Sequence, residues 1–212
     1  MTSRRTLVLA SSSPARLKTL RAAGLDPYVM VSGVDESTVE SASAATLALT
    51  LARLKAEAVV QRIRIHGPRP EAGIVLGCDS VLEFDGAILG KPADAPEAVQ
   101  RWRQMRGGSG VLHTGHCLID LDAGAVAEAV AATTVRFADL TDAEIDAYVA
   151  TGEPLQVAGA FTIDGLGGWF VEGIEGDHGN VIGVSLPLLR RLLGQVGLTV
   201  ADLWPTPITS SA

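Results

Sequence analysis

Apolar residues fall in short runs separated by small and polar ones, and the spacing changes from run to run. Residues 7–10 form an apolar block followed at once by Ser11-Ser12-Ser13-Pro14 and then by Leu17 and Leu20 at helical spacing. This predicts a buried strand turning sharply into a helix that Gly24 stops. Residues 28–32 predict a second strand. From about 44 to 64 runs the longest helix, with Leu47, Leu51, Leu54 and Ala58 on one face and Lys55 beside that stripe. Residues 66–70 read as a surface loop. A buried strand over 74–78 then runs into Asp79-Ser80, and 81–84 and 87–89 flank Asp85-Gly86, a two-residue hairpin signal.

Further along, Asp94 and Glu97 predict a capped helix to about Met105. Strands follow at 112–119 and 126–137. Thr141 and Glu144 cap a helix to Ala150, a glycine-rich irregular stretch leads to a strand over 169–175, and Ser185 with Pro187 opens a last helix over 186–196. Alternating strands and helices of this kind give an α/β fold.

The Ser11–Arg16 junction has chemistry as well as shape. Free N–H groups in the first turn of a helix, with the dipole behind them, attract phosphate or carboxylate, and serine hydroxyls and Arg16 converge there. The same residues also serve simply as a helix cap. Neither G-x-x-x-x-G-K-[ST] nor G-x-G-x-x-G occurs at this junction, so a glycine loop cradling phosphate is not supported.

Composition narrows the choice. With 212 residues and 47% hydrophobic content the chain can bury a substantial core, expected as one domain over 1–204 with two lobes and a flexible tail over 205–212. A net charge of -7 argues against nucleic acid or an anionic membrane as partner, so any phosphate site is local. Cys78 and Cys117 lie in apolar stretches without C-x-x-C spacing, which fits buried thiols of a cytoplasmic protein.

Several polar residues stand out against this background. Asp79, at the expected end of a buried strand, is the best candidate for a catalytic group. Asp35-Glu36 follows a strand and supplies oxygen ligands for a cation. Lys18, Lys55 and Lys91 are the only lysines among 17 basic residues, and Lys91 sits between Gly90 and Pro92, aimed by a fixed backbone. His113 and His116, three apart on a strand, face opposite sides and make no two-histidine site.

Taken in order, these pieces resemble the Maf family of nucleoside triphosphate pyrophosphatases. The resemblance rests on Leu9-Ala10-Ser11-Ser12-Ser13-Pro14-Ala15-Arg16, Asp35-Glu36, Leu51-Ala52-Arg53-Leu54-Lys55-Ala56, Cys78-Asp79-Ser80-Val81 and Leu89-Gly90-Lys91-Pro92. His113-Thr114-Gly115, Gly152-Glu153-Pro154, Ala158-Gly159-Ala160-Phe161 and Asn180-Val181-Ile182-Gly183 agree. It implies an elongated mixed sheet with flanking helices, a cleft between two lobes, a homodimer, and hydrolysis of a nucleoside triphosphate to monophosphate and pyrophosphate with Mg²⁺ or Mn²⁺. It places Asp79 as catalytic acid residue, Glu36 and Asp79 at the metal, and Ser11, Ser13, Arg16, Lys55 and Lys91 on the phosphates. Family members specific for thymidine and uridine triphosphates differ from this chain at Ala15, Ser80 and Asp164, which implies a broader, pyrimidine-leaning base preference. The family's association with septum formation implies an alternative role, a nucleotide-binding regulator of cell division.

Overall fold

The computed structural model describes residues 5–39, 41–66 and 73–205; the expected tail past Pro205 and the expected loop past His66 lie outside them. The elements in order are β1 (Thr6–Leu9), α1 (Pro14–Ala22), β2 (Tyr28–Val29), α2 (Ala44–His66), β3 (Gly73–Phe84), β4 (Ala87–Leu89), α3 (Ala95–Met105) and β5 (Ser109–Asp120). They continue with β6 (Val126–Phe137), α4 (Asp142–Ala150), β7 (Val171–Glu175), α5 (His178–Ile182) and α6 (Leu186–Gln195). The strands form one seven-stranded mixed sheet in the order β2-β1-β3-β5-β6-β7, with β4 also paired to β3. β1 runs parallel to β2 and β3, and the other pairings are antiparallel.

Helix α2 covers one face of the sheet. Its buried stripe is Ala44, Ala48, Leu51, Ala52, Lys55, Ala56, Val59, Val60 and Ile63. Of the expected stripe of Leu47, Leu51, Leu54 and Ala58, Leu51 is buried while the other three are only half-buried, and Lys55 stands within the buried face rather than beside it. The reason is close approach. Gly77 of β3 and Gly115 of β5 lie so near α2 that a Cβ on either would overlap the carbonyl oxygens of Ala52 and Ala48. Ala48 and Ala52 stand at that contact, where a larger side chain would hold the helix off, and Leu47 and Leu54 lie at its margins.

The opposite face carries two apolar clusters. One joins Leu7, Leu9, Leu20, Leu76, Cys78 and Leu118 to α6. The other packs Leu82, Phe84, Leu112, Val135 and Phe137 against Trp102, Tyr148 and Phe161, with edge-on aromatic contacts at Phe137. Between them a polar band crosses the strands: Ser80 on β3, Thr114 and His116 on β5, and Thr133 on β6, three of these four fully buried. A band of buried polar groups across an otherwise apolar face persists only where each group finds hydrogen bonds; Asn180 of α5 bonds Thr114 and Thr133, Ser185 bonds His116, and Arg16 bonds Ser80.

Three boundaries differ from expectation for identifiable reasons. β2 stops at Val29 because its partner β1 ends at Leu9, leaving nothing beyond to pair with. β3 does not end at Cys78; β5 pairs with it from Ile74 to Glu83, so Asp79 lies in mid-strand. β7 begins at Val171 because Trp169 and Phe170 belong to a 3₁₀ turn. The hairpin at Asp85-Gly86 is present, with both residues at positive φ, 47° and 77°.

Candidate active site

The open edge of β3 positions the site. β1 pairs with β3 only as far as Leu76, and β4 begins its pairing at Leu82. Residues 77–81 thus have β5 on one side and no strand on the other. Asp79 and Ser80 are consecutive, so their side chains leave opposite faces of the sheet at that gap. The Ser11–Ser13 turn enters it from the end of β1, and Lys91 follows the end of β4.

On the α2 face, Lys55 Nζ contacts Asp79 Oδ1 and lies 2.6 Å from Glu36 Oε1. Lys55 is 8% exposed and Asp79 5%, whereas the Glu36 carboxylate is half exposed. Burial pushes the Asp79 carboxyl above its ordinary value, while the neighbouring Lys55 and Arg16 charges pull it back. The result is a shielded carboxylate of raised basicity, oriented by one ammonium group. Among the described residues two of the three Lys55 N–H bonds are taken by carboxylates, and the third remains to donate.

On the other face Arg16, 8% exposed, donates from Nε to the Gly183 carbonyl at 2.8 Å, from Nη1 to Ser11 Oγ at 3.0 Å and from Nη2 to Ser80 Oγ at 3.0 Å. Among the described residues it meets no carboxylate. A buried guanidinium without an anionic partner is costly, and two of its five donors remain for one. Ser13 caps α1 by accepting from the Arg16 N–H at 3.4 Å, and Ser11 accepts from the Ser13 N–H at 3.2 Å. The Ser11 hydroxyl hydrogen is left to donate at the helix N-terminus.

A family model described as Maf-like protein matches residues 6–196. The chain belongs to the Maf family. A nucleoside triphosphate pyrophosphatase of Salinispora tropica is 63% identical over 212 residues, covering 97% of this chain and 93% of that one. Proteins of the same name from Streptomyces coelicolor and Nocardia farcinica are 58% and 57% identical, and each alignment covers 95% of this chain.

In this Maf chain Ser11, Ser13, Arg16 and Ser80 gather on one face at the β3 gap, and Glu36, Lys55 and Asp79 on the other. Ala15 is half-buried in the first turn of α1, beside Arg16. Lys91 is exposed, and its loop is clamped by Gly90, whose carbonyl accepts from Arg101 Nη1 at 2.6 Å and from the Gly159 N–H at 3.0 Å. Asp164 is exposed on the glycine-rich loop and makes no hydrogen bond or ion pair with these residues. The histidines lie on opposite faces as expected. His113 meets Glu83 at 3.0 Å, and His116 is buried, with Nδ1 3.0 Å from the Thr114 carbonyl while Nε2 accepts from the Ser185 N–H at 2.9 Å.

Thr114, Asn180 and Gly183, which belong to the family motifs but had no expected role, also build the site. Thr114 Oγ1 donates to the Asn180 carbonyl at 3.1 Å, and Gly183, at φ 118°, ends α5 against Arg16. The available signal was the alternation of Leu112, Thr114, His116 and Leu118, two polar residues on a strand face that is otherwise apolar.

Two carboxylates, Glu36 and Asp79, share one positive centre in this structure, the Lys55 nitrogen. Among the described residues no group of three His, Cys, Asp or Glu side chains gathers to hold a metal. A small hard cation needs only one or two protein carboxylates when substrate phosphates and water complete its shell, and Glu36 with Asp79 fits that requirement.

Proposed function

We propose that this chain hydrolyses nucleoside triphosphates to the monophosphate and pyrophosphate, with Asp79 as proton acceptor. The observation that carries the site assignment is Arg16, buried at a helix N-terminus and lacking a carboxylate partner, directly across the β3 edge from the Asp79–Lys55 pair. Arg16, Ser11, Lys91 and the free Lys55 N–H hold phosphate oxygens. Asp79 takes the proton of a water whose oxygen bonds to the α-phosphorus, and the bond from that phosphorus to the bridging oxygen breaks, releasing pyrophosphate.

Charge supports a divalent cation. Arg16, Lys55 and Lys91 against Glu36 and Asp79 leave a single positive charge, far short of a triphosphate's negative charge. Glu36 and Asp79 would hold Mg²⁺ or Mn²⁺, which supplies charge neutralisation on the phosphoryl oxygens and leaving group. The proposal includes a pyrimidine-leaning base preference set around Ala15, Ser80 and Asp164, a homodimer and a cytoplasmic location. Both cysteines are free and buried, and burial pushes Cys78 up to about 11 and Cys117 up to about 12, as inert core thiols of a reducing compartment. No helix among the described residues is long and apolar enough to cross a membrane.

The test is a panel of common and modified nucleoside triphosphates with Mg²⁺ or Mn²⁺, scoring pyrophosphate and orthophosphate separately. Pyrophosphate release abolished by EDTA is the expected result. Nucleotide binding without release from any substrate would favour a regulatory role.

A further inference from the structure

A line of hydroxyl groups leads from Arg16 into the interior. Ser80 Oγ is 2.9 Å from Thr114 Oγ1, which in turn is 3.1 Å from the Asn180 carbonyl oxygen. A carbonyl only accepts, so the single Thr114 hydroxyl hydrogen points to Asn180. Ser80 must then donate its own hydrogen to Thr114, which turns its remaining lone pairs toward Arg16 Nη2 at 3.0 Å. The direction of every link is set from the Asn180 end.

That end is itself fixed. Asn180 is fully buried, and its Nδ2 donates to the Leu112 carbonyl at 3.1 Å and to Thr133 Oγ1 at 3.0 Å. Three residues later Gly183 takes the Arg16 Nε directly at 2.8 Å, and a Cβ there would stand 3.0 Å from the same nitrogen. α5 therefore holds the guanidinium twice, once through its C-terminal glycine and once through two hydroxyls.

We propose that Thr114 is a positioning residue which, acting through Ser80, orients the Arg16 guanidinium toward the substrate's phosphate. This rests on the reading of Arg16 given above and extends it to a residue that touches neither substrate nor metal. Packing alone does not call for a hydroxyl here, since valine has the same shape and Thr114 is fully buried between apolar clusters. The Ser80 hydroxyl is likewise committed, between Arg16 and Thr114.

The experiment is a double-mutant cycle read as the Kd of an α,β-methylene nucleoside triphosphate, so that an inactive variant still reports. Thermal denaturation is recorded alongside. Thr114→Val is expected to weaken binding roughly 3–10-fold, as loss of a buried hydrogen bond between neutral groups does. Thr114→Ser, which keeps the hydroxyl, restores binding to near the wild-type value. In an Arg16→Met background the effect of Thr114→Val falls below about twofold, because nothing is left to position. An equal cost with and without Arg16, or no rescue by serine, overturns the proposal. If Arg16→Met alone binds as tightly as wild type, the phosphate role of Arg16 fails and the positioning role with it. Should Thr114→Val not fold, Thr114→Ala removes the same hydroxyl without the second methyl and completes the cycle with the same expected coupling.

Discussion

Gly77 of β3 lies directly against the Ala52 carbonyl of α2, so close that a Cβ at position 77 would overlap that oxygen. The contact sets how near α2 comes to the sheet, and hence where Lys55, one turn further along, meets Asp79. Gly77→Ala must push the helix outward, and over-packing of this kind costs about 1–3 kcal/mol or more. The expected result in urea denaturation is a marked loss of stability together with a fall in turnover. Gly194→Ala should do the opposite: it sits in α6 with open space around its Cβ, and alanine there is expected to add about 0.5–1 kcal/mol without affecting activity.

Asp79 and Lys55 separate two effects. Asp79→Asn removes the proton acceptor and is expected to lower kcat by roughly 10²–10⁴-fold with the fold intact. Lys55→Met leaves the acceptor but removes the charge that opposes burial. With Glu36 then unshielded beside it, the Asp79 carboxyl rises further above its ordinary value. Activity is needed in the ionised form, so the acid limb of the kcat/KM profile should move to higher pH. An unshifted limb with lowered kcat would mean that Lys55 only binds substrate.

His116 makes stability pH-dependent. Burial holds it down to about 4, and its Nε2 must stay unprotonated to accept from Ser185. The unfolded chain protonates this histidine near 6.5, so between that value and about 4 the unfolded state binds the extra proton and stability falls with pH. The expected loss from pH 7.5 to 4.5 is about 2–3 kcal/mol. Asp79, raised in the fold, works in the other direction, and comparison with His116→Gln cancels it because both proteins carry Asp79. The variant should lose about 2–3 kcal/mol less than wild type over the same interval; an equal loss would place the acid sensitivity elsewhere.

Local rules made much of this fold legible. Ser13, Thr141 and Ser185 cap helices as their sequence context indicated, and the Asp85-Gly86 turn appears where the dipeptide called for it. The candidate residues on α1, α2 and β3 also converge. Less legible was the face of α2, because leucine spacing outweighed alanine spacing in the reading while Gly77 and Gly115 decided the packing. The extent of β3 through Asp79 depended on a partner strand 30 to 40 residues away. Thr114 and Asn180 carried no signal as single residues, since their role is a set of hydrogen bonds between segments far apart in sequence.

The central claim is attack of water on the α-phosphorus. Hydrolysis of a single preferred nucleoside triphosphate in ¹⁸O-labelled water, followed by mass spectrometry of both products, tests it most directly. Attack at the α-phosphorus leaves one labelled oxygen in the nucleoside monophosphate and none in the pyrophosphate. Label in the pyrophosphate, or orthophosphate with a nucleoside diphosphate as products, would contradict it.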